Sequence, residues 1–236
     1  MGRGSLVFVH WVLPLAVIAA ACAAYGYARW LEGDPDRFAS DPRLAAALAC
    51  TVDDMWVHHE ESERVAAMGD LLDEDDEPPA GLVDAAEAGD RDAMYTLAIA
   101  FLSGMGDDDI GMAWLRRAAD AGQPAAQFEL GSAYIYGYQG TSPDRQTGLD
   151  WWQRAASGGE AYAQYSLARL TWNSLDSARR RAAPEHMLDA AGQCFPSAMR
   201  YLARNSGARI PVSPEQARWL ENRVAQYDNR GGNLMA

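Results

Sequence analysis

Apolar residues recur at helical spacing through the last two-thirds of the chain, and polar residues fill the positions between them. Four stretches share one arrangement, in which a leucine precedes a small anchor residue and an alanine lies five positions before the anchor. The anchors, at positions 98, 131, 168 and 203, are 33, 37 and 35 residues apart. Periods of this length are typical of stacked helix pairs. The pattern predicts first helices at 92–104, 125–137, 162–174 and 197–207.

Second helices are predicted between the first ones, at 109–122, 146–159, 181–193 and 213–225. Alanine and glycine mark the positions where two antiparallel helices approach closely, and aromatic residues fill the space towards the next pair. A single pair cannot bury its own apolar face, so the pairs must stack. We expect Gly122, Gly159 and Gly192 to end their helices in the left-handed conformation. The stretch DSARRRAAPEH (176–186) predicts an irregular loop that carries three consecutive arginines, 179–181.

The segment 122–158 shows the repeat most completely. Its Ala126, Leu130 and Gly131 are followed by Trp151 and a terminal alanine pair, and this order resembles the Sel-one-like (Sel1-like) repeat family, a relative of the tetratricopeptide repeats. The resemblance covers about residues 80–225. It implies an all-α fold, a right-handed α/α solenoid of Sel-one-like helix pairs, that binds proteins as an adaptor; some members are immunity partners of secreted toxins.

An apolar run without formal charge, residues 6–27, precedes the repeats. At about 1.5 Å per residue it is long enough to cross a bilayer, so we expect a single transmembrane helix, a signal-anchor within residues 1–30. A cleaved signal peptide and lipid attachment at Cys22 are the alternatives. The short polar start favours a bacterial inner-membrane protein with a periplasmic repeat domain. The arginines that follow the run favour the cytoplasmic orientation, which stays open.

Residues 31–79 form a predicted linker with short helices at 42–50 and 52–72, and the expected order continues with the solenoid at 80–228 and a flexible tail at 229–236. Asp41 and Pro42 predict the start of the first short helix. Five consecutive acids, 73–77, mark the boundary before the repeats. The net charge is −13, with thirteen acids and two arginines in 60–92. This balance argues against nucleic-acid binding, which needs a basic surface.

Candidate chemistry is sparse. No nucleophile, phosphate-loop or zinc-protease motif occurs, so no catalytic residue, metal or cofactor is assigned. His58, His59 and Glu63 are the best residues for a metal-dependent hydrolase, and a solvated helix face is the alternative. Cys50 and Cys194 can form a disulfide in an oxidising compartment, or remain two small buried side chains.

A partner protein is expected on the concave surface that the first helices line. Residues three before, one after and four after each anchor share one stripe of a helix. Aromatic residues and arginine, which are enriched in interface hot spots, recur there. The predicted partner-binding residues are Tyr95, Phe128, Ser132, Ile135, Tyr165, Arg169, Trp172, Arg200 and Arg204.

Three functions are therefore expected from the sequence. The first is a membrane-anchored protein–protein interaction scaffold, or adaptor, of a bacterial envelope complex, held by residues 6–27. The second is an exported immunity protein that neutralises a secreted toxin. The third is a metal-dependent or other hydrolase.

Overall fold

A computed structural model describes residues 41–58, 78–103, 107–205, 210 and 212–234 of the chain. Within these ranges all regular structure is helical. The helices are α1 (Pro42–Ala49), α2 (Ala80–Glu87), α3 (Arg91–Ser103), α4 (Asp108–Asp120), α5 (Pro124–Tyr136), α6 (Arg145–Ser157), α7 (Ala161–Thr171), α8 (Ser177–Gly192), α9 (Pro196–Arg204) and α10 (Pro214–Leu234). Residues 52–58 are also helical.

The predicted helix pairs are present. The helices pack in four pairs: α3 with α4, α5 with α6, α7 with α8, and α9 with α10. Each second helix also packs on the first helix of the next pair, namely α4 on α5, α6 on α7 and α8 on α9. The expected α/α solenoid is thereby confirmed at the level of stacked helix pairs. Helix α2 precedes the pairs and packs against α3, which the repeat pattern does not predict.

Two glycines let the central pair approach closely. A Cβ on Gly131 of α5 would lie 2.8 Å from the carbonyl oxygen of Gly148 of α6. A Cβ on Gly148 would lie 2.6 Å from the carbonyl oxygen of Gly131. Because both obstacles are backbone atoms, neither can rotate aside, and only glycine fits at this crossing.

Aspartate N-caps fix where α4, α6 and α8 begin. The side chains of Asp107, Asp144 and Asp176 each accept backbone N–H groups of the first turn. The cap at Asp176 starts α8 at Ser177, so the stretch that contains arginines 179–181 is helical and is not the irregular loop that the sequence predicts. Pro184 lies inside this helix and is buried.

The turns between repeats use a left-handed residue at equivalent positions. Gly89, Gly122 and Gly159 have φ values of 100°, 83° and 93°. In the last such turn the left-handed residue is Cys194, with φ 62°. Gly192, which we expect to end α8 in this conformation, is instead the last residue of that helix, and the turn follows it.

The N-terminal segment does not pack on the helix that follows it in sequence. Residues 41–58, which we call the strap, contain α1 and the helical residues 52–58, and α1 packs on α8 and α10. Leu44, Ala47 and Met55 join the apolar cluster of the last two helix pairs. A disulfide between Cys50 and Cys194 joins the strap to the turn before α9. The start of α1 at an Asp41 cap is confirmed.

Other predictions lie at the edges of the described residues. Helix α10 continues to Leu234, so much of the expected tail 229–236 is helical. The predicted membrane anchor at 6–27 and the acidic run 73–77 lie outside the described residues. Among the helices that the structure does describe, none combines the length and apolar character needed to cross a bilayer.

Candidate protein-binding groove

A groove opens between the first helices α5 and α7, and Trp152 of α6 forms its floor. The close crossing at Gly131 and Gly148 brings α6 near enough for this side chain to reach under α5. The indole Nε1 of Trp152 donates to the carbonyl oxygen of Phe128 and to Ser132 Oγ, both at 3.1 Å. The Trp152 ring also stacks on Phe128 with a centroid distance of 5.5 Å. The floor is therefore rigid and has its polar atom satisfied.

Two walls rise from this floor. On the α5 side stands Tyr136, which is 68 % exposed although its ring centre lies 6.4 Å from that of Trp152. On the α7 side stand Tyr165 and Arg169, with Ser166 and Leu170 beside them. The volume between the walls is about 310 Å³. We call this space the inner groove.

Arg169 carries the charge of the inner groove. Its Nη1 donates to the hydroxyl of Tyr165 at 3.3 Å, and its guanidinium lies 5.7 Å from the centre of the Tyr165 ring. The hydrogen bond to Tyr165 raises the pKa of Arg169, so the guanidinium stays protonated. None of the described carboxylates pairs with it, in contrast to Arg200, which binds Asp228 at 2.7 and 2.8 Å. The groove can thus offer an exposed aromatic ring, an apolar floor and an unneutralised cation.

The predicted binding residues fall into three groups. Tyr95, Ser132 and Trp172 are buried, with exposures of 7 %, 6 % and 9 %, so they support the surface from beneath. Phe128 and Ile135 are half-buried and pack against an apolar cluster formed by α6 and α7. Tyr165 and Arg200 are also half-buried, and Arg169 and Arg204 are exposed. The inner groove brings together Tyr165 and Arg169.

Sequence reasoning missed four residues of the inner groove, namely Tyr136, Trp152, Ser166 and Leu170. Tyr136 lies five positions after its anchor, and the equivalent positions in the neighbouring repeats are Ser103 and Asn173. No row of similar residues therefore marks it. A better signal is local, because Tyr136 directly precedes the left-handed Gly137 that ends α5 and projects from the helix end.

In the described part of the chain, no three His, Cys, Asp or Glu side chains lie close enough together to bind a metal ion. His58 instead donates its Nε2–H to the carbonyl oxygen of Gln193 at 2.8 Å. His59 and Glu63 lie outside the described residues.

A second space, of about 100 Å³, lies between α6 and α8 on the opposite side of α7. It is lined by Asp150, Arg179 and His186 among others. Burial lowers the pKa of His186, so its imidazole is neutral near pH 7. Arg179 is engaged there with the side-chain oxygen of Gln146 at 3.0 Å.

Comparison with known proteins gives the repeats a family. The Sel1 repeat profile matches residues 91–123, 124–160 and 196–220. These matches contain α3–α4, α5–α6 and the start of α9–α10, whereas the pair α7–α8, in which His186 replaces the repeated tryptophan, is not matched. No curated protein matches the chain.

Among solved structures, a Sel1 repeat protein from Oxalobacter formigenes is 34 % identical, with a TM-score of 0.48, over 52 % of this chain and 96 % of its own length. A protective antigen of uropathogenic Escherichia coli strains, displaying an SLR fold, is 23 % identical with a TM-score of 0.53. That match covers 69 % of this chain and 38 % of the antigen. An immunity protein from Pseudomonas aeruginosa is 21 % identical with a TM-score of 0.38, over 71 % of this chain and 82 % of its own.

Proposed function

Because the chain belongs to the Sel1 repeat family, we propose that it is a scaffold whose inner groove binds an exposed segment of a partner protein. The family is generally a non-catalytic fold that binds proteins. One observation carries the proposal to this surface, namely the unneutralised Arg169 beside the exposed ring of Tyr136 over an apolar floor. Aromatic rings and arginine contribute much of the binding energy in protein interfaces.

The chemistry of the groove defines the segment that fits it. Trp152 and Leu170 favour an apolar side chain between the walls, and Arg169 favours a carboxylate next to it. Tyr136 loses little entropy on binding because a tyrosine has only two side-chain torsions.

The test compares a groove variant with a matched surface variant. Tyr136→Ser combined with Arg169→Glu removes the ring and reverses the charge. Arg181→Glu, an exposed residue of α8, makes the same charge change away from the groove. Partners captured from detergent-solubilised membranes are identified by mass spectrometry, and their affinities are then measured with purified proteins.

We expect the groove variant to lose at least about tenfold in affinity, equivalent to ~1.4 kcal/mol, and Arg181→Glu to bind like the parent. Equal affinity of the parent and the groove variant for every captured partner would remove the inner groove as the binding site.

We further propose that residues 6–27 anchor the scaffold in a bacterial inner membrane, with the repeats in the periplasm as part of an envelope complex. Two observations support this: the uncharged apolar run and the disulfide, since disulfides persist in oxidising compartments. A topology reporter fused after Ala236 tests the orientation. If a reporter that functions only in the cytoplasm is active in this fusion, the periplasmic orientation is wrong.

The immunity function stays a prediction. It is tested by measuring whether the protein protects cells against the toxin that a neighbouring gene encodes.

A further inference from the structure

We propose that the strap holds one wall of the inner groove in place. His58 of the strap supports Tyr165 through Phe195, and the Cys50–Cys194 disulfide keeps the strap docked. Reduction of the disulfide then loosens one wall of the groove. This inference rests on the proposed function of the groove as a binding site. It adds a regulation of that site by the thiol–disulfide state of the compartment.

A continuous row of ring contacts joins the strap to the groove wall. The imidazole of His58, at the end of the described strap, lies edge-on against Phe195 with a centroid distance of 5.3 Å. Phe195 is 4 % exposed and contacts Tyr165, with centroids 5.5 Å apart, and Tyr162, with centroids 4.7 Å apart. Tyr165 in turn accepts the hydrogen bond of Arg169. A displacement of His58 therefore removes support from the aromatic cluster that holds the α7 wall.

Cys194 has a left-handed backbone conformation, which is less favourable for a cysteine than for the glycine found in the other turns. The equivalent turn position is glycine at 89, 122 and 159, and all four residues have positive φ. A residue with a Cβ is less stable than glycine in this region by roughly 1–2 kcal/mol. The cysteine occupies this position, next to Phe195 in sequence, and bonds to the strap. The crosslink is thus placed beside Phe195, the ring that connects His58 to Tyr165.

Besides the disulfide, the strap is held by two kinds of contact. Leu44, Ala47 and Met55 are buried in the apolar cluster of the last two helix pairs, and polar contacts lie at the partly exposed edge of this interface. The polar contacts are the ion pairs of Arg43 with Glu185 and Asp189, the contact of Arg230 with Asp53, and the hydrogen bond of His58 to the carbonyl oxygen of Gln193. Partly exposed ion pairs contribute little individually. The disulfide fixes the end of α1 at the turn before α9, and its reduction leaves the strap held by the apolar contacts and these weak polar contacts alone. In the reduced protein the strap therefore exchanges more readily between docked and undocked states.

The chemical step is an ordinary thiol–disulfide exchange with a dithiol reductant. A thiolate of the reductant attacks one sulfur of the bond, and the other sulfur leaves as a thiolate and takes a proton. The second thiol of the reductant then resolves the mixed disulfide. In total the reductant gives two electrons and two protons and becomes a disulfide, while Cys50 and Cys194 become thiols.

The experiment reads the position of Tyr165 directly and needs no partner. The full chain in detergent micelles carries 3-fluorotyrosine at position 165 or, as a matched reporter on the opposite wall, at position 136. Fluorine spectra are recorded for the parent, for Cys50→Ala/Cys194→Gly and for His58→Ala. The first variant removes the bond and restores the glycine of the other turns, so it spares the backbone. The second keeps the bond and removes the ring contact. Acrylamide quenching of fluorescence, compared with that of the same chains carrying Trp56→Phe, reports strap release.

We expect both variants to shift or broaden the resonance of position 165 and to leave that of position 136 unchanged, and reduction of the parent by a dithiol to reproduce the effect of the cysteine variant. Three outcomes overturn the inference: a strap that stays docked without the bond, a released strap with position 165 unchanged, or equal changes at both positions. All of these readouts are independent of partner capture. A failed capture with a positive fluorine result contradicts the proposed function alone, and the reverse contradicts only the coupling.

Discussion

Individual residues decide how closely the helices approach and which charges they bury. Gly131 and Gly148 place two backbones in contact, and the floor of the inner groove depends on that contact because Trp152 follows Gly148 by one helical turn. Glu129, on the same helix as Gly131, is half-buried. Each feature gives a single-residue test.

Gly148→Ala should destabilise the protein. The added Cβ meets the carbonyl oxygen of Gly131, and overpacking of this kind costs roughly 1–3 kcal/mol, more than the ~1 kcal/mol that alanine gains in helix propensity. Thermal unfolding followed by circular dichroism measures the change. Gly81→Ala is the control, because nothing lies within 4 Å of its Cβ position in α2, and it should be neutral or stabilising. A stable Gly148→Ala variant would refute the close crossing.

Glu129→Gln should stabilise the protein at pH 8. Desolvation raises the pKa of Glu129, and nearby Glu160 raises it further, while the Tyr138 hydroxyl acts in the opposite direction. A carboxyl with a raised folded pKa destabilises the fold above that pKa, and the effect disappears as pH falls below the unfolded value of about 4. The melting-temperature gain of the variant should accordingly shrink between pH 8 and pH 4. A gain that is constant with pH would show that ionisation is not its cause.

At the scale of elements, charge as well as apolar contact determines that the strap packs on α8. Arg43 reaches Asp41 and Glu185 at 2.6 Å and Asp189 at 2.7 Å. Asp189 occupies the position that holds Arg154 in the preceding repeat, where the guanidinium covers Trp151 at 4.5 Å. The acids of α8 therefore attract the strap, whereas the arginine of α6 would repel it.

Arg43→Met should loosen α1. The substitution leaves three carboxylates facing one another and removes partly exposed ion pairs that contribute up to about 1 kcal/mol each. Hydrogen exchange of the α1 amides, measured with the disulfide intact, should accelerate. Adding Glu185→Gln and Asp189→Asn should restore part of the protection, since the repulsion is then removed. No acceleration in the single variant would show that the apolar contacts alone hold α1.

Acid should loosen the same contact. The hydrogen bond from the Arg43 side chain holds the pKa of Asp41 below its usual 3.8. Stability from a depressed carboxyl pKa is complete above the unfolded value and is lost as pH falls through the folded one. Exchange of the α1 amides, corrected for intrinsic rates, should therefore rise below about pH 4, and Asp41→Asn should flatten that rise.

The sequence predicts the repeated elements and the start of α1, and it does not predict where α1 packs. The helix pairs follow from anchors spaced at 33, 37 and 35, and Tyr165 and Arg169 follow from their places on that lattice. The strap contact joins residues more than 140 positions apart, and no periodic signal can encode it. Tyr95 lies in one apolar cluster with Leu82 of the unforeseen α2, and Trp172 packs edge-on against Tyr201 of α9, so neither burial is visible in a single repeat.

At the scale of the whole molecule, the disulfide closes a loop with a sequence separation of 144. A crosslink of this span restricts the unfolded chain and contributes up to about 5 kcal/mol in the chain-entropy estimate. Denaturant unfolding with and without a dithiol should show a large loss of stability on reduction. The Cys50→Ala variant, in which the bond is absent from the start, should be insensitive to the dithiol. Equal stability of the oxidised and reduced parent would show that the disulfide adds nothing to the stability of the fold.

Solenoids with free ends can gain or lose a unit in evolution without disturbing the rest, since each unit touches only its neighbours. This chain lacks that freedom, because the disulfide joins its first described helix to its last repeats and residues 59–77 connect the strap directly to α2. Those nineteen residues can extend over at most ~65 Å. A duplication that inserts further repeats would separate the two attachment points until that path is too short, so the ring sets an upper limit on the number of repeats this lineage can acquire while keeping the bond.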